Sequence, residues 1–206
     1  MSIQIDYFYT HLSPWAYLGH QALLDIAASY GAAIHFRPVN LGEVFAQTGG
    51  LPLGQRHPAR QAYRFIEMQR WKEKRALPLT FKPAHFPTDP KLSDLAAVVL
   101  QETGGPVASF SLKAFQAIWA EDRDIGDPDT VAQLLDAVGG NATQVLEKTQ
   151  DPAILQSFEE NKKRALSWGV IGSPAYVLNA EPFWGQDRLD LLEDALRSGR
   201  VPYRPL

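Results

Sequence analysis

The chain has 206 residues, enough to bury a full hydrophobic core, and its 45% hydrophobic and 21% charged residues describe an ordinary globular composition. A formal net charge of -3 leaves no basic excess for neutralising phosphates, which argues against a general nucleic-acid binder. With no cysteine anywhere, structural disulfides, thiolate–metal sites and a cysteine nucleophile are excluded.

The first pattern is a strand. Ile3, Ile5, Tyr7 and Tyr9 alternate with Gln4, Asp6 and Phe8, so at least one face is buried. This pattern begins without a basic-then-apolar leader, and no stretch approaches the roughly 20 apolar residues of a membrane span. The expectation is a cytoplasmic protein that does not engage membranes. After a turn at Thr10–Leu12, Ser13-Pro14 supplies a polar N-cap with proline at the first helical position. Trp15, Leu18, Ala22, Leu23, Ile26, Ala27 and Tyr30 then recur at helical spacing until Gly31. Ala33–Val39 reads as a second strand, giving a β-α-β opening with a parallel pair and a right-handed crossover.

The segment Gly42–Pro58 is rich in glycine and proline and reads as a loop crossing into a helical block. From His57 to Trp168 the patterns are helical almost throughout. Asp89-Pro90, Asp127-Pro128 and Asp151-Pro152 repeat the cap-then-proline start, while Gly104-Gly105, Gly139-Gly140 and Gly169 supply stops. Basic residues cluster between Arg56 and Arg75, which on a helix reads as a solvated face. The end is mixed again. Ala175–Asn179 reads as a strand, Asn179-Ala180-Glu181 as a tight turn, and Pro182–Trp184 as a returning strand. Asp187 then opens a last helix carrying Leu189, Leu191, Leu192 and Leu196, with Gly199 as its stop. The order implies one α/β domain split by a helical insertion.

Three places stand out chemically. Ser13 is first a helix cap, but a helix N-terminus also stabilises an anion, such as a thiolate, placed against its unpaired N–H groups. It has no histidine at a spacing diagnostic of a hydrolase triad. Ser173-Pro174 reads plainly as the start of a strand, with a trans proline. In Trp184-Gly185-Gln186-Asp187-Arg188, the turn into a capped helix doubles as a site for a zwitterion: Arg188 and backbone amides for a carboxylate, Asp187 for an ammonium. His11, His20, His35, His57 and His85 show no metal-ligand spacing, so no metal is expected, and His85 sits in a proline-rich loop.

Taken with YFYTHLSPWAYLGH, QRWKEKRALPLTF and WGVIGSPAYVLNAEPFWGQDRLDLL, the chain resembles over essentially its whole length the 2-hydroxychromene-2-carboxylate isomerases, in the DsbA-like, kappa-class glutathione transferase group. The resemblance implies a thioredoxin-like α/β domain made of residues 1–45 and 170–206, with an all-helical insertion over 46–169. It puts Ser13-Pro14-Trp15-Ala16 where disulfide oxidoreductases carry C-x-x-C, so that Ser13 touches the sulfur of bound glutathione as its stabiliser, with Trp15 beside it. It implies a cis Ser173-Pro174 bond whose Ser173 backbone pairs with the cysteinyl part of glutathione. Gln186, Asp187 and Arg188 would hold the γ-glutamyl end. Gly50 falls where relatives carry a glutathione-binding asparagine and offers only backbone; Phe45, Gln55 and His85 fall at substrate-binding positions that are basic, polar and asparagine in relatives.

The implied activity is a glutathione-dependent cis-trans isomerisation in aromatic catabolism, interconverting 2-hydroxychromene-2-carboxylate and trans-o-hydroxybenzylidenepyruvate by reversible thiolate addition. A homodimer is implied too. Rival readings are a kappa-type glutathione transferase or peroxidase, and a non-catalytic glutathione- or peptide-binding module. The missing cysteines exclude a disulfide oxidoreductase.

Overall fold

The structure, a computed structural model, describes residues 3–206, so Met1 and Ser2 of the first expected segment lie outside it. Four strands form one mixed sheet: β1 (Gln4–Tyr9), β2 (Ala33–Pro38), β3 (Ala175–Leu178) and β4 (Glu181–Trp184), in the order β2-β1-β3-β4. β1 runs parallel to β2, with Tyr7 opposite Phe36, and antiparallel to β3, with Tyr7 opposite Tyr176. β3 and β4 form a hairpin whose two turn residues, Asn179 and Ala180, both take left-handed backbone at φ 51° and 61°. That is the geometry a two-residue turn needs to match the twist of its strands.

The helices are α1 (Pro14–Ser29), α2 (Leu41–Thr48), α3 (Pro58–Arg75), α4 (Lys91–Thr103), α5 (Val107–Trp119), α6 (Pro128–Asp136), α7 (Ala142–Lys148), α8 (Pro152–Ser167) and α9 (Leu189–Ser198). Asp127 and Asp151 cap α6 and α8 as their sequence pattern requires, accepting from the N–H groups of Thr130 and Ala153. Among the described residues, 57–168 contain no strand. The thioredoxin-like α/β fold with a helical insertion is therefore the architecture observed.

Three local expectations are corrected. The Gly42–Pro58 segment is not simply a loop: α2 occupies Leu41–Thr48, capped by the Asn40 side chain at its start and by left-handed Gly49 at its end. The helix takes in Phe45, so it spans the position expected to divide the two parts of the chain. Asp89-Pro90 acts one residue later than expected. Pro90 is the cap of α4, and Asp89 accepts the Lys91 N–H from outside the helix. Finally, Asp187 sits in a single 3-10 turn, Gln186–Arg188, and the last helix starts only at Leu189.

The alternation along β1 assigns the two faces of the sheet. Ile5, Tyr7 and Tyr9 join α1, α4, α5 and α9 in one large core, to which Phe36, Tyr176 and Phe183 also belong. Phe8 faces the other way with Val44 of α2, Ala165 of α8, and Ala175 and Val177 of β3. Asp6 lies on this second face and pairs with Arg37 of β2, whose guanidinium also donates to Asn161 of α8 at 3.0 Å. The inserted helices share the core of the sheet rather than building one of their own, and so bring α3 alongside α1. Only Met68 of α3 is fully buried. The rest of this helix forms a polar and aromatic wall over the start of α1.

Candidate active site

The site grows from the start of α1. Pro14 has no N–H to leave unpaired, and Ser13 caps the helix from extended backbone, its Oγ accepting the Ala16 N–H at 3.2 Å. Trp15 N–H is one of the first-turn donors the helix cannot satisfy internally. Ser13 is buried, and its hydroxyl donates to the carbonyl of Ser173 at 3.1 Å. Ser173 returns the link, its Oγ accepting the Thr10 N–H at 3.3 Å. The Ser173-Pro174 bond is cis, as the family resemblance implied and against the plain trans reading.

The loop carrying Ser13 is fixed from the insertion side as well. Asp94 of α4 accepts the His11 N–H at 3.0 Å, and Trp119 of α5 donates its indole N–H to the His11 carbonyl at 3.2 Å. The same carboxylate lies 2.7 Å from His11 Nδ1, but at an angle that leaves Nδ1 without a directed hydrogen bond.

From this junction an open cavity of about 340 Å³ runs toward the 3-10 turn. Trp15, Ser173, Gln186, Asp187 and Arg188, all expected from the sequence, line it together, and Ser13 stands directly behind Ser173. The Trp184 indole forms another wall. It lies so close to Gly172 that a Cβ there would meet its Nε1 at 2.3 Å, so the glycine of Gly172-Ser173-Pro174 is required by contact. At the far end, the side chains of Asp187 and Arg188 pair at 3.1 Å, both about half exposed. Opposite charges available at one end of a cleft suit a ligand with an ammonium and a carboxylate. Gln186 is buried, held by a guanidinium fork from Arg75 of α3 at 3.0 and 3.2 Å.

Phe45, Gly50, Gln55 and His85 do not line this cavity. Gly50 is closed against the Phe45 ring, which a Cβ would approach to 2.2 Å, and Arg56 lies over that ring at 5.7 Å. Gln55 is exposed in the short turn Leu53–Gln55. His85 is exposed, 3.8 Å from Asp124. Conversely, α3 supplies Glu67, Trp71 and Arg75, which the sequence had passed over as part of a solvated basic face. The available signal was the mixture of tryptophan with arginine on that helix, since a purely solvated face does not need Trp71. Among the described residues no group of three or more histidines and carboxylates is placed to hold a metal ion, and no helix is long and apolar enough to cross a membrane.

A DsbA-like thioredoxin domain model matches residues 4–197. The chain belongs to the DsbA-like thioredoxin family. Within that family it is 30% identical, over 95% of its own length and 99% of the relative's, to the 2-hydroxychromene-2-carboxylate isomerase of Sphingobium xenophagum. It is 23% identical to the human glutathione S-transferase kappa 1, over 93% of this chain and 90% of the other. A solved 2-hydroxychromene-2-carboxylate isomerase superposes with a TM-score of 0.81 at 25% identity, covering 95% of both chains. The cytosolic disulfide reductase DsbM from Pseudomonas aeruginosa shares the fold, with a TM-score of 0.68 at 17% identity. The family expected from the sequence motifs is thus borne out, and enzymes of isomerase name stand among its relatives. This DsbA-like chain carries Ser13 at the head of α1 and has no thiol anywhere.

Proposed function

We propose that the protein is a glutathione-dependent cis-trans isomerase acting on a conjugated aromatic carboxylate of the 2-hydroxychromene-2-carboxylate type. The observation that carries this reading is the meeting of Ser13 and Ser173 at 3.1 Å, at the mouth of a cavity that ends in Asp187 and Arg188, in a chain with no cysteine. The residues fit the tripeptide. The cavity of about 340 Å³ is within the range of small-ligand sites. Asp187 and Arg188 would take the ammonium and carboxylate of the γ-glutamyl end, and the Ser173 backbone the amide groups of the cysteinyl unit. Bound glutathione supplies a thiolate able to add reversibly to a conjugated carbon, so that a double bond becomes single, turns, and re-forms.

The chain's own part is electrostatic and positional. The unpaired N–H of Trp15 and the positive end of α1 favour an anion at the cap, and the Ser13 hydroxyl adds one donor. Ser13 is itself no nucleophile, having no base within its hydrogen-bonding set. Trp15, Trp71 and Trp184 give the cleft aromatic surface against which a conjugated substrate can pack. The relatives' names support the isomerase, and the kappa transferase supports the nearest alternative, the same thiol acting on another electrophile. We read the protein further as cytoplasmic and as a homodimer.

A spectrophotometric assay of the chromene-to-pyruvate conversion, with and without glutathione, tests the reading. A rate that depends on glutathione is expected. A rate independent of it sinks the thiol mechanism, and binding of glutathione without isomerisation transfers the assignment to the transferase.

A further inference from the structure

A second cavity, about 390 Å³, shares Trp15 and Glu67 with the first and is otherwise walled by the N-terminal half of α3 and by Arg56, which precedes the helix cap His57. Arg60 and Arg64, four residues apart on one face of α3, line this hollow together with Arg56, which reaches it from the extended backbone that follows the Leu53–Gln55 turn. Among the described residues no carboxylate pairs with any of them. Glu67, the acid at the rim, is engaged by Arg70 on the outside of the helix. Arg56 spends its Nε on the carbonyl of Leu51 at 2.8 Å, which leaves its outer nitrogens unassigned.

Three cations gathered without a counter-charge are unfavourable, and the arrangement shows it. Burial, followed by the charge of Arg56, pushes Arg64 down to about 10, and burial followed by Arg60 lowers Arg56. The guanidinium groups also lie against rings: Arg56 over Phe45 at 5.7 Å, and Arg64 near Phe65 and Phe86 at 5.8 and 5.9 Å. Tyr63 and Trp15 add aromatic surface to the hollow itself. A concave site with flat apolar walls and a one-sided set of planar cations is complementary to an aromatic or conjugated body carrying a carboxylate.

We infer that Arg56, Arg60 and Arg64 bind the carboxylate of the molecule on which the thiol-dependent reaction acts. The link to that reaction rests on the glutathione reading; the binding itself does not. The negative rim at Glu67 turns the anionic end toward the arginines and leaves the conjugated body beside Trp15, two residues from Ser13. The cations then come from α3 and from the segment just before it, and Phe45 serves as the ring beneath Arg56.

The test is calorimetric titration with trans-cinnamate and with its neutral amide, on the wild type, Arg60→Glu and Arg64→Gln, and separately with glutathione. Arg60 is exposed, so its variant keeps the fold and decides the matter should Arg64→Gln fail to fold. Cinnamate should bind at least about tenfold tighter than the amide, and each variant should lose about tenfold or more of that affinity while glutathione binding changes less than about threefold. Absent cinnamate binding, equal binding of acid and amide, or variants that keep cinnamate affinity overturn the inference. So do variants that lose glutathione, since the arginines would then hold a carboxylate of the tripeptide. A wild type that binds cinnamate through these arginines but not glutathione would sink the proposed function and leave this site standing.

Discussion

Ser13 has a single hydroxyl proton, and in this structure it is given to the Ser173 carbonyl. A sulfur anion bound at the cap, as proposed, would compete for that proton, and the amide N–H of a cysteinyl unit paired with Ser173 would take its place on the carbonyl. Ser13→Ala should therefore reduce turnover by roughly 10²-fold, the usual cost of one preorganised donor to a developing anion. Glutathione affinity, measured by calorimetry, should change by under about 1 kcal/mol. The variant should also lose about 1 kcal/mol of stability in chemical denaturation, because the same oxygen caps α1. An unchanged turnover with that loss of stability would leave Ser13 as a cap alone. The cap was legible because Ser-Pro before an apolar period is a local signal. The partner was not: Ser173 is 160 residues away, and only the antiparallel pairing of β3 with β1 brings it to the head of α1. The same holds for Arg75, whose fork on Gln186 spans 111 residues. Arg75→Ala, by freeing the buried Gln186, should weaken glutathione binding several-fold with little effect on the rate at saturation, a split between KM and kcat that a merely structural loss would not produce.

At the level of elements, the strands and most of the helices were readable because period and capping agree at each. β1 carries Ile5, Tyr7 and Tyr9 at every second position although both its faces are buried, and Asp127-Pro128 and Asp151-Pro152 start α6 and α8 as written. The reading failed at α2, where glycines at both ends suggested a loop although Gly49 is only the left-handed stop of a short helix seated by Val44. It also failed at α3, where a basic run on a helix looked like solvent-facing surface although Arg60 and Arg64 line a cavity, with Arg56 just ahead of the helix. A different hidden feature joins three elements. Asp6 on β1 and Arg37 on β2 are both buried, and Asn161 of α8 completes the set by also donating to the Pro38 carbonyl at 3.2 Å. Asp6→Ala would leave a buried guanidinium without its counter-charge and should cost about 3–5 kcal/mol in urea denaturation. The double variant Asp6→Ala, Arg37→Met should recover much of that loss; no recovery would mean that the carboxylate acts through something other than Arg37.

For the whole molecule, the shared core ties the insertion to the sheet, and one group buried within it adds to the sensitivity of that core to acid. His20 of α1 is buried among Tyr7, Phe36 and Phe115, its Nε2–H donating to the Ala108 carbonyl of α5 at 3.0 Å and its Nδ1 without a partner. Burial brings it down to about 4 from an ordinary value of 6.5, against the smaller opposing pull of the Ala108 carbonyl. Between those two values the unfolded chain binds a proton that the folded one does not, so stability falls as pH drops through this window and levels off below it. Relative to His20→Gln, the wild type should lose an extra amount on the order of 3 kcal/mol between pH 7 and pH 4. Parallel pH profiles for the two proteins would show that the histidine is not the group responsible.

Placing serine rather than a thiol at the head of α1 also changes what can poison the protein. Peroxide, nitrosating agents and iodoacetamide all act on cysteine sulfur, and this chain offers none. An alkylating agent added to a working mixture would consume only the free tripeptide, and removing the agent and adding fresh glutathione should restore the full rate. Under the proposed mechanism the nucleophile would be a replaceable reagent, and the scaffold that holds it would outlast every molecule it uses.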